Sequence, residues 1–307
     1  MNDSLEAGIG IVSTALFDWS VALATGSLLA AHWLRRRQHV RVPQIRVAAI
    51  LMAIALSVQF YLMVAMMTGQ AALADVLRSA PLVATTHAGG VALATLGGVV
   101  LLLIADLLQP LRARAIFAVL VVFILLFHSA TGHAAVAGDF SRAELLQFLH
   151  LSGMALWTGG VIVSGLFVLP KLLPGHLPDL VSGLSPDRAA SRPSLGKAYL
   201  QALSRVSTYA VAVVLLTGAY KGWTGLGRDL SDLLHTGWGR ILLGKLGFVT
   251  IALGLGWLHR RWIRQPERAW TPHQTKTLVT TLRIEAVCLT LVIALSAWLA
   301  SVDPSGS

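Results

Sequence analysis

Apolar residues in this chain come in runs too long for the core of a soluble domain. Eight runs are read, at about residues 9–34, 44–69, 82–108, 113–131, 144–170, 199–222, 240–260 and 279–301. A hydrocarbon core of about 30 Å is crossed by roughly 20 helical residues, and each run is near or above that length. The pattern predicts an all-α, polytopic membrane helix bundle with eight transmembrane helices, forming one integral membrane domain over residues 1–307. Most connectors are short. The exception, residues 171–198, carries Pro174, Pro178, Pro186 and Pro193 and reads as an irregular cytoplasmic connector between spans five and six. No internal repeat is visible, so an inverted-repeat transporter is not supported.

Composition agrees: 55% of residues are hydrophobic and 12% charged, where a soluble domain carries about 25% charged residues. The net charge of +10 would suggest nucleic acid in a soluble protein, but its distribution reads otherwise. Basic residues gather in the connectors after spans one, three, five and seven, and these hold 18 of the 24 Lys and Arg. By the positive-inside rule those connectors face the cytoplasm and both termini face the periplasm. Residues 1–8 carry Asp3 and Glu6 without a basic residue, unlike a cleaved signal peptide, so span one is expected to be retained. The single cysteine, Cys288, excludes an internal disulfide and any CxxC motif. No phosphate-binding glycine loop is present, so no nucleotide is expected.

Candidate chemistry lies at the outward ends of spans two to five. Met63, Met66 and Met67 share one helical face at i, i+3, i+4. His87 begins span three, beside Gly89 and Gly90, which would allow a close helix neighbour. His128 and His133 end span four. His150 opens span five, with Met154 one turn deeper. Ionisable groups are costly inside a bilayer, so histidines gathered at one depth read as a site. Thioethers favour Cu(I) and imidazole accepts copper, zinc, iron or nickel, so the mixture points to copper, with Cu(I) favoured and Cu(II) open. One histidine at a helix end reads as well as an interfacial residue, and methionine as a gap-filler. His235 reads as solvated. The carboxylates Asp75, Asp139 and Glu144 read as belonging to wet loops.

Asp18 and Lys245 fall inside spans at similar depth. They are expected to form a buried pair, since each alone costs about 3 kcal/mol or more; the functional alternative is an ion path leading inward. Arg283 and Glu285 are expected to anchor the inner end of span eight at the interface.

Gly132-His133-Ala134, His150 and Trp157-x-Gly159-Gly160 resemble the central motif of the copper-resistance protein D family (CopD, PcoD), bacterial membrane proteins of copper handling. The likeness continues through Ser204-Arg205, Thr217-Gly218, Trp223, Gly239-Arg240, Lys245, the basic run after Leu258, and Leu282-Arg283 with Glu285. It covers about residues 125–304. His259 departs from the pattern, which has Asn before the basic pair. The resemblance implies copper transport across the inner (cytoplasmic) membrane, described for the family as import, with a periplasmic copper-binding protein of the CopC type as a separate partner. It makes His133 and His150 functional positions. His87, His128 and the methionines rest on depth alone, and Trp157, Gly159 and Gly160 are expected to shape packing around the site. The expected protein is a transporter and not an enzyme. Alternatives are a b-type haem redox protein, with two axial ligands drawn from His87, His128 and His150, and a copper-binding assembly factor or sensor that moves nothing.

Overall fold

The computed structural model describes residues 3–34, 45–108, 114–131, 141–172, 192–225, 232–264 and 271–302. The helices are α1 (Asp3–Trp33), α2 (Ile45–Thr68), α3 (Leu73–Ala84), α4 (His87–Leu108), α5 (Arg114–Ser129), α6 (Arg142–Val163), α7 (Leu169–Leu172), α8 (Arg192–Gly225), α9 (Asp232–His235), α10 (Gly237–Ile263) and α11 (Pro272–Ser301). A π-helical turn, Ser164–Val168, joins α6 to α7. No strand occurs among the described residues. Seven helices are long and apolar enough to cross a membrane, and Ala115–Ser129 is a shorter apolar helix. Its parent α5, 16 residues long, reaches about 24 Å at 1.5 Å per residue. This is where span four was expected, at residues 113–131, and the helix is shorter than the hydropathy run suggested.

A second difference lies between α2 and α4. The run expected to open at residue 82 is divided: residues 73–84 form the separate α3, and α4 starts at His87. Thr86 explains the restart, because its hydroxyl accepts from Gly89 N at 3.1 Å, the bond of an N-cap. A Cβ on Gly89 would lie 2.0 Å from Val83 O. Gly89 therefore makes room for a close helix neighbour, which is the end of α3 at the α3–α4 turn.

Side-chain contacts give the helix register. Ala22 and Gly26 of α1 meet Gly159 of α6, and a Cβ on Gly26 would also meet Val163, so α1 and α6 run parallel. Gly153 faces Val214 and Ala210, Gly160 faces Leu203, and Ser164 bonds Tyr199, so α8 runs antiparallel to α6. Gly98 faces Phe123 and Ile124, pairing α4 with α5. At one end Arg46 Nε bonds Asp106 Oδ2 at 2.8 Å, joining the start of α2 to the end of α4. That end is called distal and the end where α1 begins proximal.

The core runs along α1 and α6, with Phe17, Ala24, Trp157, Ile162 and Leu169 almost sealed. A Cβ on Gly159 would stand 2.0 Å from Ala22 O, and one on Gly26 2.0 Å from Gly159 O. Lipid and side chains are equally apolar, so helices in a membrane adhere by close backbone approach, which small residues permit. Gly26 and Gly159 supply it.

Candidate functional site

The register places the candidate ligands at different heights. The Phe17 and His128 rings meet at a tilt of 44° with centroids 4.2 Å apart, and His128 Nε2 lies 3.9 Å from Asp18 Oδ1. Because Ala22 is level with Gly159, Asp18 and His128 stand level with Met154. His150 lies about one turn nearer the proximal end. The α4–α5 pairing puts His87 about 10 Å, seven residues, proximal to His128. The three described histidines thus form a descending series with His87 first, His150 next, and His128 deepest beside Asp18 and level with Met154. Among the described residues no three His, Cys, Asp or Glu side chains converge on one metal-sized point. His133 lies outside the described residues, as does Asp139.

His150 is the most firmly built member. Its Nδ1 lies 2.8 Å from Thr217 Oγ1, and the Thr217 hydroxyl donates to Val213 O at 2.6 Å. A hydroxyl has one proton; with that proton given to a carbonyl, Oγ1 accepts, and Nδ1 must carry the hydrogen. The Nε2 lone pair is then free to bind a metal. This is the outer-shell arrangement that orients metal-binding histidines. Gly218 completes it, since a Cβ there would lie 3.4 Å from His150 Cε1. Thr217-Gly218 is therefore a cradle for the imidazole.

Charge surrounds the series. Asp18 interacts electrostatically with Lys245 and Lys221, and His150 with both lysines. Lys221, from the last turns of α8, donates to Gln147 Oε1 of α6. No contact ion pair joins Asp18 to Lys245 among the described residues; the carboxylate has His128 as its neighbour. Sequence reasoning placed Lys221 outside the site. The signal was present in its spacing, one turn beyond Thr217.

The remaining candidates stand as follows. His87 is exposed at the first position of α4. Met63 packs beside a small cluster of Val64, Ala65, Val76 and Val83, while Met66 and Met67 are 81% and 51% exposed. Met154 packs against the main core. Trp157 is buried, and a Cβ on Gly160 would lie 2.9 Å from Leu203 Cδ1. His235 is exposed. Glu144 is buried in the first turn of α6. Glu285 is not an interfacial anchor either: it is 2% exposed, and its Oε2 lies 3.1 Å from His259 Nδ1. Arg283, two residues earlier on the other face of α11, is exposed.

Comparison with known proteins gives a consistent result. Residues 197–299 match the sequence profile of the family described as Copper resistance protein D. A relative from Bacillus subtilis (strain 168), Copper transport protein CutJ, is 30% identical over 145 residues, 47% of this chain. The chain spans about a quarter of that relative's length, 24%. No solved structure matches the chain.

Proposed function

We propose that this chain, whose residues 197–299 match the copper resistance protein D family and whose long apolar helices suit a multi-pass membrane protein, moves copper across the bacterial inner membrane from its proximal face inward. The observation that supports this most is the cradle around His150, which leaves Nε2 as a free donor atom. Copper, the cargo, would be taken up near His87 and His133, pass to His150, and then to His128, Asp18 and Met154. Cu(I) suits the thioether step. A separate protein of the CopC type would deliver it. Both matched descriptions name copper and neither names haem.

The lysines matter for release. Lys221 and Lys245 both act electrostatically on His150, and like charges repel, so the two lysines oppose the lodging of a cation there. Asp18 offsets them deeper in the bundle. The arrangement disfavours tight trapping at the first step and favours passage to the second. Labelled copper uptake into proteoliposomes tests the function. His150→Ala is expected to abolish uptake and lower copper stoichiometry, and unchanged values in both would refute the assignment.

A further inference from the structure

At the distal end, α6, α8, α10 and α11 line a cavity of about 220 Å³. Its wall includes Trp157, Ser207, His259, Arg260 and Glu285. His259 and Glu285 are 5% and 2% exposed, a costly placement for two ionisable groups in a membrane bundle. None of the proximal candidates except Trp157 borders this space.

The hydrogen bonds decide how the pair is used. His259 Nε2 lies 2.8 Å from Thr281 Oγ1. The Thr281 hydroxyl is itself spent on the carbonyls of Thr277 and Leu278, at 3.0 and 3.1 Å. Oγ1 therefore accepts, and Nε2 carries the imidazole hydrogen. That leaves the Nδ1 lone pair 3.1 Å from Glu285 Oε2. Two electron-rich atoms at this distance repel unless a proton or a metal cation lies with them, and the pair does not have the geometry of a hydrogen bond. Oε2 is buried and has no hydrogen-bond partner of acceptable geometry, and the Ser207 hydroxyl on the same wall is also buried and unpartnered. Arg260 does not fill the role: it donates to Thr208 at 2.5 Å.

We propose that the distal cavity is a second metal site, taking one copper-class transition-metal cation on His259 Nδ1 and the Glu285 carboxylate, with Ser207 and water completing the shell. Imidazole and carboxylate together suit a borderline cation such as Cu(II) or Zn(II) better than the thioether-bearing proximal series does. The cation neutralises the buried carboxylate, which removes the penalty of an uncompensated charge. The copper reading guides the choice of probe; the site itself rests on its own geometry.

The test counts copper bound to the purified full-length protein in detergent, with Cu(II) as the probe, for the parent and for His150→Ala, His259→Asn and Glu285→Gln. The asparagine keeps an N–H for Thr281. His150→Ala is expected to retain a Cu(II) equivalent whose paramagnetic resonance shows coupling to one imidazole nitrogen. His259→Asn and Glu285→Gln are each expected to lose that equivalent, with at least a tenfold loss of affinity. Should Glu285→Gln fail to fold, His259→Asn decides alone. Parent-like stoichiometry and an unchanged nitrogen signal in His259→Asn would overturn the distal site. Loss of nothing in His150→Ala would overturn the proximal assignment and leave this one standing.

Discussion

Thr217→Val removes one oxygen from the protein and should cost it copper affinity. The substitution keeps the shape of the side chain and replaces the acceptor of the His150 Nδ1 hydrogen, now 2.8 Å away, with a methyl group. A buried donor left without a partner costs about 1–3 kcal/mol. Loss of an outer-shell partner of a metal-binding histidine typically weakens affinity about 10–100-fold, which is about 1.4–2.8 kcal/mol. The two estimates agree because they describe one event. Without Thr217 the ring keeps only the Val214 backbone as a hydrogen-bond partner, the hydrogen is held less firmly on Nδ1, and the ring can carry it on Nε2, where it blocks the metal. The assay is competition for Cu(I) against a coloured chelator, in detergent, with Thr217→Ser as the variant that restores the hydroxyl. Thr217→Val should weaken binding about 10–100-fold, and Thr217→Ser should stay within about threefold of the parent. Equal affinity for all three proteins would refute the cradle argument, whatever their thermal stability.

Gly159→Ala should lower the thermal unfolding midpoint in detergent, because its Cβ would stand 2.0 Å from Ala22 O, a backbone atom that cannot step aside; overpacking of this kind costs about 1–3 kcal/mol. Gly244→Ala, whose Cβ meets nothing within 4 Å, should leave the midpoint unchanged or raise it, and equal losses in the two would remove the helix-contact argument. Lys221→Met should tighten copper binding at His150, though only modestly, because the lysine is exposed and solvent screens its repulsion; isothermal titration showing weaker binding would mean the lysine serves as a positioning group instead. Protons and copper compete for the Nε2 lone pair of His150, so affinity should fall as pH falls and level off as it rises. His150→Ala should flatten that dependence, and a pH slope identical to the parent would place the competition elsewhere.

The membrane-spanning character of this chain was legible from one dimension. Twenty apolar residues in a row have no economical place except a bilayer or a deep core, and 12% charged residues cannot cover a soluble surface of this size. The same reasoning singled out His150 as a candidate, because an imidazole inside an apolar run is expensive enough to need a reason. Gly159 and Gly160 stood out only through the family resemblance, and what Gly159 does, letting the α1 and α6 backbones touch, needed both helices at once. Hydropathy could not see that residues 73–84 form a separate helix, since the Thr86 cap interrupts the run without changing its polarity.

Partnership was the part hidden from the linear chain. Thr217 and His150 are 67 residues apart, and only the antiparallel register of α6 and α8 makes one the hydrogen acceptor of the other. Asp18 was expected to pair with Lys245, and the two interact electrostatically, but equal depth says nothing about which faces meet, and rotation about the helix axes also puts the carboxylate 3.9 Å from His128. Glu285 shows the same limit. Its place in the sequence suggested an interfacial anchor, but two residues along a helix turn a side chain by about 200°, so Arg283 faces out while Glu285 lies buried against His259. Depth is a property of the chain, and azimuth is a property of the packed bundle, so the kinds of residue at each site could be read in advance while their neighbours could not.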